Sequence, residues 1–212
     1  MGPTRELRTV CVYAGSSGGA LPEYEASAAA LGRALARQGL RLVYGGGNVG
    51  LMGAMASACA AGGGDVLGII PRALASQEVS GTTVGRQVVV NNMHERKKMM
   101  ADEADAFVAL PGGFGTIEEL QEAICWNQLG VHSKPVGVLD VADFFKPLLS
   151  FYDHLVTQGF VKPEQRACVI SASNPDDLLS LLFGHEVPKG LVDNGQWVEA
   201  GAPSLPAGNP PE

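Results

Sequence analysis

Short apolar runs alternate along this chain with longer segments of helical period. Strand character marks Thr9 to Ala14, Leu40 to Tyr44, Val66 to Ile70, Gln87 to Val90, Ala106 to Leu110 and Pro135 to Leu139. Between them the apolar positions recur every three or four residues. The first such segment shows the pattern: Pro22 opens it, Tyr24, Ala28, Leu31 and Leu35 form one stripe, and Gly39 supplies a stop. Strands that alternate with helices call for crossover connections, so the predicted fold is a single-domain, open, doubly wound α/β fold of Rossmann-like type. Its parallel sheet carries helices on both faces.

Small-residue turns follow three of these strands: Gly15 to Ser17, Gly45 to Gly47, and Gly112 to Gly115. In a parallel sheet all strands end on one edge, so the three turns converge on the crevice where open α/β sheets bind ligands. The third turn is the richest. It lies in the run Leu110 to Glu119, where a strand hands over to a helix marked by Leu120, Ile124 and Leu129. Unpaired backbone N–H groups and the helix dipole favour an anion there, and the glycines leave its approach open.

Two readings of Thr116 and Glu119 stand side by side. Their spacing is that of a capping box, in which the pair satisfies backbone N–H groups at a helix start. A carboxylate one turn inside an anion-binding helix also faces whatever the anion is attached to, and the neighbouring cradle favours that reading. Met93 to Met100 follows the fourth strand and starts a helix, with Met93 and Met100 readable as core methionines beside a solvated charge run. Arg96 is the alternative: turned into the crevice, its fork of donors would hold a phosphate or stabilise developing charge, without acting as an acid. Of the four histidines only His94 stands next to this region.

With 212 residues, 46% of them hydrophobic, the chain can bury one substantial core. The expected organisation is an extension over 1–8, the Rossmann-like domain over 9–185, and a loose Pro/Gly-rich tail over 186–212. Val192 and Trp197 are candidates to dock that tail, and its last ten residues read as disordered. A net charge of −7 argues against nucleic acid as partner. No apolar stretch suits a membrane span or a signal peptide, which points to the cytoplasm. Cys11, Cys59, Cys125 and Cys168 form no paired motif and read as reduced thiols, with no metal site expected.

Gly45, Gly47 and Gly50 satisfy a GxGxxG pattern with Asp65 further on, as a dinucleotide fingerprint requires. The pattern follows the second strand, however, and Asp65 precedes the third, at the edge opposite the crevice. NAD or FAD is therefore not expected.

Together these segments resemble the LONELY GUY (LOG) family, the cytokinin riboside 5′-monophosphate phosphoribohydrolases. The resemblance runs from Val10 to about Leu182. It rests on Val-Tyr-Ala-Gly-Ser-Ser, Val-Tyr-Gly-Gly-Gly with Gly-Leu-Met-Gly, Met-His-Glu-Arg-Lys, the Pro-Gly-Gly-x-Gly-Thr-x-x-Glu motif ending at Glu119, and Trp-Asn-Gln-Leu-Gly. Ala14 departs from a frequent cysteine. The resemblance implies hydrolysis of the N-glycosidic bond of cytokinin riboside 5′-monophosphates and AMP, releasing free base and ribose 5-phosphate, with no cofactor. It places Arg96 and Glu119 at the catalytic positions. Substrate and phosphate contacts are expected at Gly112, Gly113, Gly115, Thr116, Lys97, Met93, Gly46, Ser16 and Ser17, with Met52 as a further candidate. It also implies a homodimer whose nucleotide site lies near the subunit boundary, with Leu120, Ile124 and Trp126 on the contact helix. Some members carry a lysine decarboxylase label, which would require a pyridoxal Schiff-base lysine with an acidic partner; no segment supplies that set. The competing class is a non-catalytic nucleotide or molybdenum-cofactor carrier of similar fold, against which the Arg96 and Glu119 pair discriminates.

Overall fold

The computed structural model describes residues 7–78 and 83–191. In chain order its elements are β1 (Thr9–Tyr13), α1 (Pro22–Arg37), β2 (Arg41–Tyr44), α2 (Gly50–Ala61), β3 (Val66–Pro71), α3 (Arg72–Glu78), β4 (Arg86–Val90), α4 (Met93–Glu103), β5 (Ala106–Ala109), α5 (Phe114–Leu129), β6 (Val136–Leu139), α6 (Lys146–Thr157), α7 (Pro163–Arg166), β7 (Val169–Ala172) and α8 (Pro175–Gly184). The strands form one sheet in the order β4-β3-β2-β1-β5-β6-β7, and every pairing is parallel.

Strand periodicity builds two cores. Val10 and Val12 of β1, with Leu42 and Tyr44 of β2, enter the layer beneath α1, α2 and α8. The alternate residues Cys11, Tyr13 and Val43 enter the layer beneath α4, α5 and α6, together with Met100, Leu120 and Tyr152. Both faces of the central strands are covered, which is why those strands read as continuous apolar runs. From β1 the chain winds outward to β4, then crosses back to β5 on the other side of β1. The strand order thus reverses between β1 and β5, and the crevice of a doubly wound sheet opens at such a switch point.

All six expected strands are present, and the structure adds a seventh. β7 (Val-Ile-Ser-Ala) is four residues long, interrupted by Ser171, only partly buried and at the sheet edge, so it leaves no long apolar run to read. The segment after Pro71 forms α3 directly from the end of β3. Leu7, assigned to the extension, is already buried in the core. The tail is anchored at its start: the Leu191 N–H donates to the Gln128 carbonyl at 2.9 Å, and Gly190 lies flat on Gly130. Val192, Trp197 and the last ten residues lie outside the described residues. Among the described residues no helix is long and apolar enough to cross a membrane.

Candidate active site

A cleft of 320 Å³ opens at the carboxyl edge of the sheet, beside the β1/β5 switch point. That volume falls within the range of small-molecule pockets. Its floor is the turn after β1, with Ala14, Gly15 and Ser16. One wall is the start of α5, from Gly113 to Glu119, and the other is built by Met52 of α2, Leu74 of α3, and Met93 and Arg96 of α4.

The start of α5 is set up for an anion. Its N-cap is Gly113, no side chain caps it, and no acid occupies its first turn. By contrast, α4 and α8 begin on Asn92 and Asn174, whose side chains accept from the backbone, and each carries acids in its first turn. The orphan N–H groups and the positive end of the α5 dipole therefore stay available to a ligand. Nothing lies within 4 Å of a Cβ built on Gly113 or Gly115, so the approach is open. Gly112 is tighter: a Cβ there would lie 2.1 Å from Thr116 Oγ1 and 2.9 Å from the Gly15 nitrogen.

Thr116 and Glu119 do not form a capping box, because α5 begins at Phe114 and both residues lie inside it. A related side-chain cap is on α4. The Asn92 side chain accepts from the Glu95 N–H at 2.9 Å, and the Glu95 carboxylate accepts from the Asn91 N–H at 2.9 Å. The Asn91 N–H, joined by the Asn91 and Asn92 side-chain amides, holds the Glu95 carboxyl below its ordinary value. With no cap to make, the Glu119 side chain points into the cleft wall, where it is 9% exposed.

Arg96 faces it. The residue is 5% exposed, with Nη2 3.8 Å from Glu119 Oε1, too long for a direct hydrogen bond. Nη1 makes a weak contact to Met93 Sδ at 3.8 Å, and Nε has no hydrogen-bond partner among the described residues. A buried guanidinium so sparsely engaged keeps donors for an anionic or oxygen-rich ligand. Beneath the pair, burial pushes the Cys11 thiol and the Tyr13 phenol well above their ordinary values, and the Glu119 charge adds to both. The floor under the two charged groups is thus neutral.

Of the expected contact residues, the cleft brings together Arg96, Glu119, Gly113, Gly115, Thr116, Met93 and Ser16, and also Met52. Met93 lines the cleft rather than the core. Ser17 and Gly112 line a neighbouring cavity of 270 Å³ across the Gly15 turn. Gly46 packs under Ile70, and its carbonyl accepts from Gln87. Lys97 lies outside the cleft lining, its ammonium held by Glu118 and Glu122. His94 is exposed and does not line the cleft. Leu120, expected on the contact helix, is fully buried against the sheet. Asp65 pairs with Arg41 at 2.6 Å on the opposite edge, as its place before β3 requires. Leu74 and Phe114 went unread: Leu74 sits on a helix with no clear period, and Phe114 is an exposed ring at the rim.

The family model described as "Possible lysine decarboxylase" matches residues 52–182. The cytokinin riboside 5′-monophosphate phosphoribohydrolase LOG of Oryza sativa subsp. japonica is 47% identical over 94% of this chain and 83% of its own length. A phosphoribohydrolase of the same name type from Arabidopsis thaliana is 49% identical over 86% of this chain and 85% of its own. The chain belongs to the LOG family. Among solved structures, the molybdenum cofactor binding protein of Rippkaea orientalis superposes on this LOG-family chain with a TM-score of 0.62 at 26% identity, covering 83% of this chain and 95% of that one. The molybdenum cofactor carrier protein of Chlamydomonas reinhardtii gives 0.60 at 19% over 82% and 95%, a likeness of fold. The decarboxylase wording of the family model finds no chemistry in the LOG-type cleft. Among the described residues that line it, none is a lysine able to form a Schiff base.

Proposed function

We propose that this chain hydrolyses the N-glycosidic bond of cytokinin riboside 5′-monophosphates and of AMP. Water supplies hydroxyl to the sugar carbon and a proton to the departing base, giving free base and ribose 5-phosphate. The observation that carries this reading is the uncapped start of α5 and the Arg96–Glu119 pair in one cleft, in a chain about half identical to enzymes named for that reaction.

In this reading the 5′-phosphate docks on the N–H groups of Gly113 to Thr116, which fixes the ribose along the α5 wall. Glu119 then lies deeper along the same helix, beside the anomeric carbon. As the bond lengthens, positive charge grows on the ring, and the carboxylate stabilises it while orienting the attacking water. Arg96 holds ligand oxygen atoms with the donors that the protein leaves unused. The apolar side chains of Met52, Leu74 and Met93 form the surface on which the base rests.

The protein is proposed to work as a cytoplasmic homodimer. Ile124 of α5 lines an apolar groove with Tyr152, Leu155 and Val161, and Phe151 and Phe160, which adjoin those residues in the chain, are exposed, the latter at 80%. Such an apolar face suits a second copy.

The test is chromatographic detection of free base from AMP and from isopentenyladenosine 5′-monophosphate, for wild type and for Glu119→Gln. Release by wild type and its loss in a folded variant is the expected result. Nucleotide binding with no base released from either compound would overturn the hydrolase in favour of a carrier.

A further inference from the structure

We propose that the 270 Å³ cavity across the Gly15 turn is a second binding site, built for an uncharged planar heterocycle of the class that the hydrolase releases as free base. The identity of that ligand rests on the hydrolase reading, whereas the cavity itself does not.

One layer of backbone separates this cavity from the cleft. The Gly15 N–H donates to the Pro111 carbonyl at 3.1 Å, and a Cβ on Gly15 would stand 3.2 Å from the Gly112 Cα. Gly15, Ser16 and Gly113 border both spaces, and at the start of α2 Leu51 faces the cavity while Met52 faces the cleft. The two spaces differ in charge. Arg96, Glu118 and Glu119 line the cleft, whereas among the described residues no charged side chain lines the cavity. A phosphate would find no cation there, which argues against a second nucleotide. The volume, just below that of drug-sized pockets, suits a smaller ligand.

Aromatic walls narrow the class further. Tyr24 of α1 and Phe144 meet edge to face, with centroids 5.8 Å apart at 78°, and Phe144 leans at 85° on the fully buried Phe145. Such rings receive a flat guest by stacking or by their edges. The backbone yields to both of them. A Cβ on Gly19, whose φ is +75°, would lie 2.7 Å from Tyr24 Cδ2, so a side chain is given up to admit the ring. Ala142 and Asp143, directly before Phe144, have φ of 50° and 58°, a left-handed conformation that residues other than glycine rarely adopt in succession. Asp140 holds that loop, its Oδ1 accepting from the Phe145 N–H at 2.7 Å. Backbone kept in such conformations clusters at ligand sites. The polar part of the wall suits a ring nitrogen: Ser17 Oγ accepts from the Gly19 N–H at 3.3 Å, so its own proton can be donated to the guest. An aliphatic ligand would use the rings' faces but not this donor.

The experiment titrates adenine into Glu119→Gln protein saturated with AMP, a nucleotide that this variant should hold without cleaving. The titration is repeated with Phe144→Ala and with Tyr24→Leu added singly, and thermal melting establishes folding. Adenine should bind while AMP fills the cleft, and each aromatic substitution should weaken that binding by about tenfold. In the wild-type background the same two substitutions should leave kcat/KM for AMP within about twofold. The proposal is overturned if the AMP-loaded protein takes up no adenine, or if Phe144→Ala and Tyr24→Leu bind it as before. A wild type that releases no base from AMP would strike the hydrolase reading alone, because the titration reads the cavity directly.

Discussion

Arg96 lies directly over Gly45: a Cβ on that glycine would stand 2.0 Å from Nη2 of the guanidinium. The end of β2 thus acts as a seat for the arginine, and only hydrogen fits between them. The clashing atom is the far end of a flexible side chain, so the fold can yield cheaply while the site cannot. Gly45→Ala should melt within a few degrees of wild type yet lose at least about tenfold in kcat/KM, roughly 1.4 kcal/mol of transition-state stabilisation. Steady-state kinetics beside calorimetry checks this. Unchanged kinetics would mean that the seated position of Arg96 is not the working one.

Gly112→Ala should behave differently. Its Cβ would meet the Thr116 hydroxyl and also the backbone nitrogen of Gly15, which has no rotamer to change. The two turns must part, costing about 1–3 kcal/mol of stability. The phosphate cradle would be distorted with them, so affinity for AMP should fall together with the melting temperature. Titration calorimetry and thermal melting on one preparation measure both.

Asn92→Ala removes the side-chain acceptor at the start of α4 and should cost about 1 kcal/mol. For a chain of this size that lowers the melting temperature by about 2–4 °C. KM should stay as in wild type. A loss of substrate affinity at unchanged stability would place Asn92 in the site instead of at the helix end.

The comparison of Asn92 with Thr116 shows what the amino-acid pattern can and cannot carry. Both are followed three residues later by glutamate, and the pattern favours either as a cap. Which one caps depends on where the backbone leaves its extended conformation. At Asn92 it does so at the side chain that accepts, whereas before Thr116 it has already done so at Gly113. The glycine turns, the Arg96 and Glu119 positions and the central strands were legible because each rests on local steric or dipolar requirements. The ion pairs of Lys97 could not be read for the complementary reason. Its partners, Glu118 and Glu122, are more than twenty residues away, and only the packing of α4 against α5 brings them to it. Leu74 likewise enters the cleft through the placement of α3.

Alkaline conditions should destabilise the protein in a defined window. Burial pushes the Cys59 and Cys168 thiols from 9.0 up to about 11. Their folded-state values lie above their unfolded ones, so below pH 9 the stabilisation is complete. Above it the unfolded chain releases protons that the folded chain retains, and stability falls until the folded thiols ionise. Each thiol can contribute on the order of 1.4 kcal/mol per pH unit across that interval. Melting temperatures should be flat up to about pH 9 and decline toward pH 11. Substituting alanine or serine at both positions should make the decline shallower, the buried Cys11 thiol accounting for part of what is left.

Cys125 is the exposed thiol of the four and lies on the α5 face proposed for the dimer. In dilute solution one thiol per chain should react promptly with a disulfide reagent, and raising the protein concentration should slow it. Equal labelling rates for monomer and dimer, with sedimentation reporting both species, would move the subunit contact elsewhere.

The uniform direction of the seven strands has a consequence for how this protein can change. Because every strand ends on the edge that carries the cleft, every strand begins on the far side, where Arg41 sits between Asp65 and Glu103 and the Asp105 carboxylate receives the backbone of Arg8 and Thr9. That rim shares no side chain with the cleft lining. Thermal tolerance and substrate choice can therefore drift separately, one rim adjusting to temperature while the other adjusts to chemistry. A library confined to either rim should move one trait and leave its counterpart still.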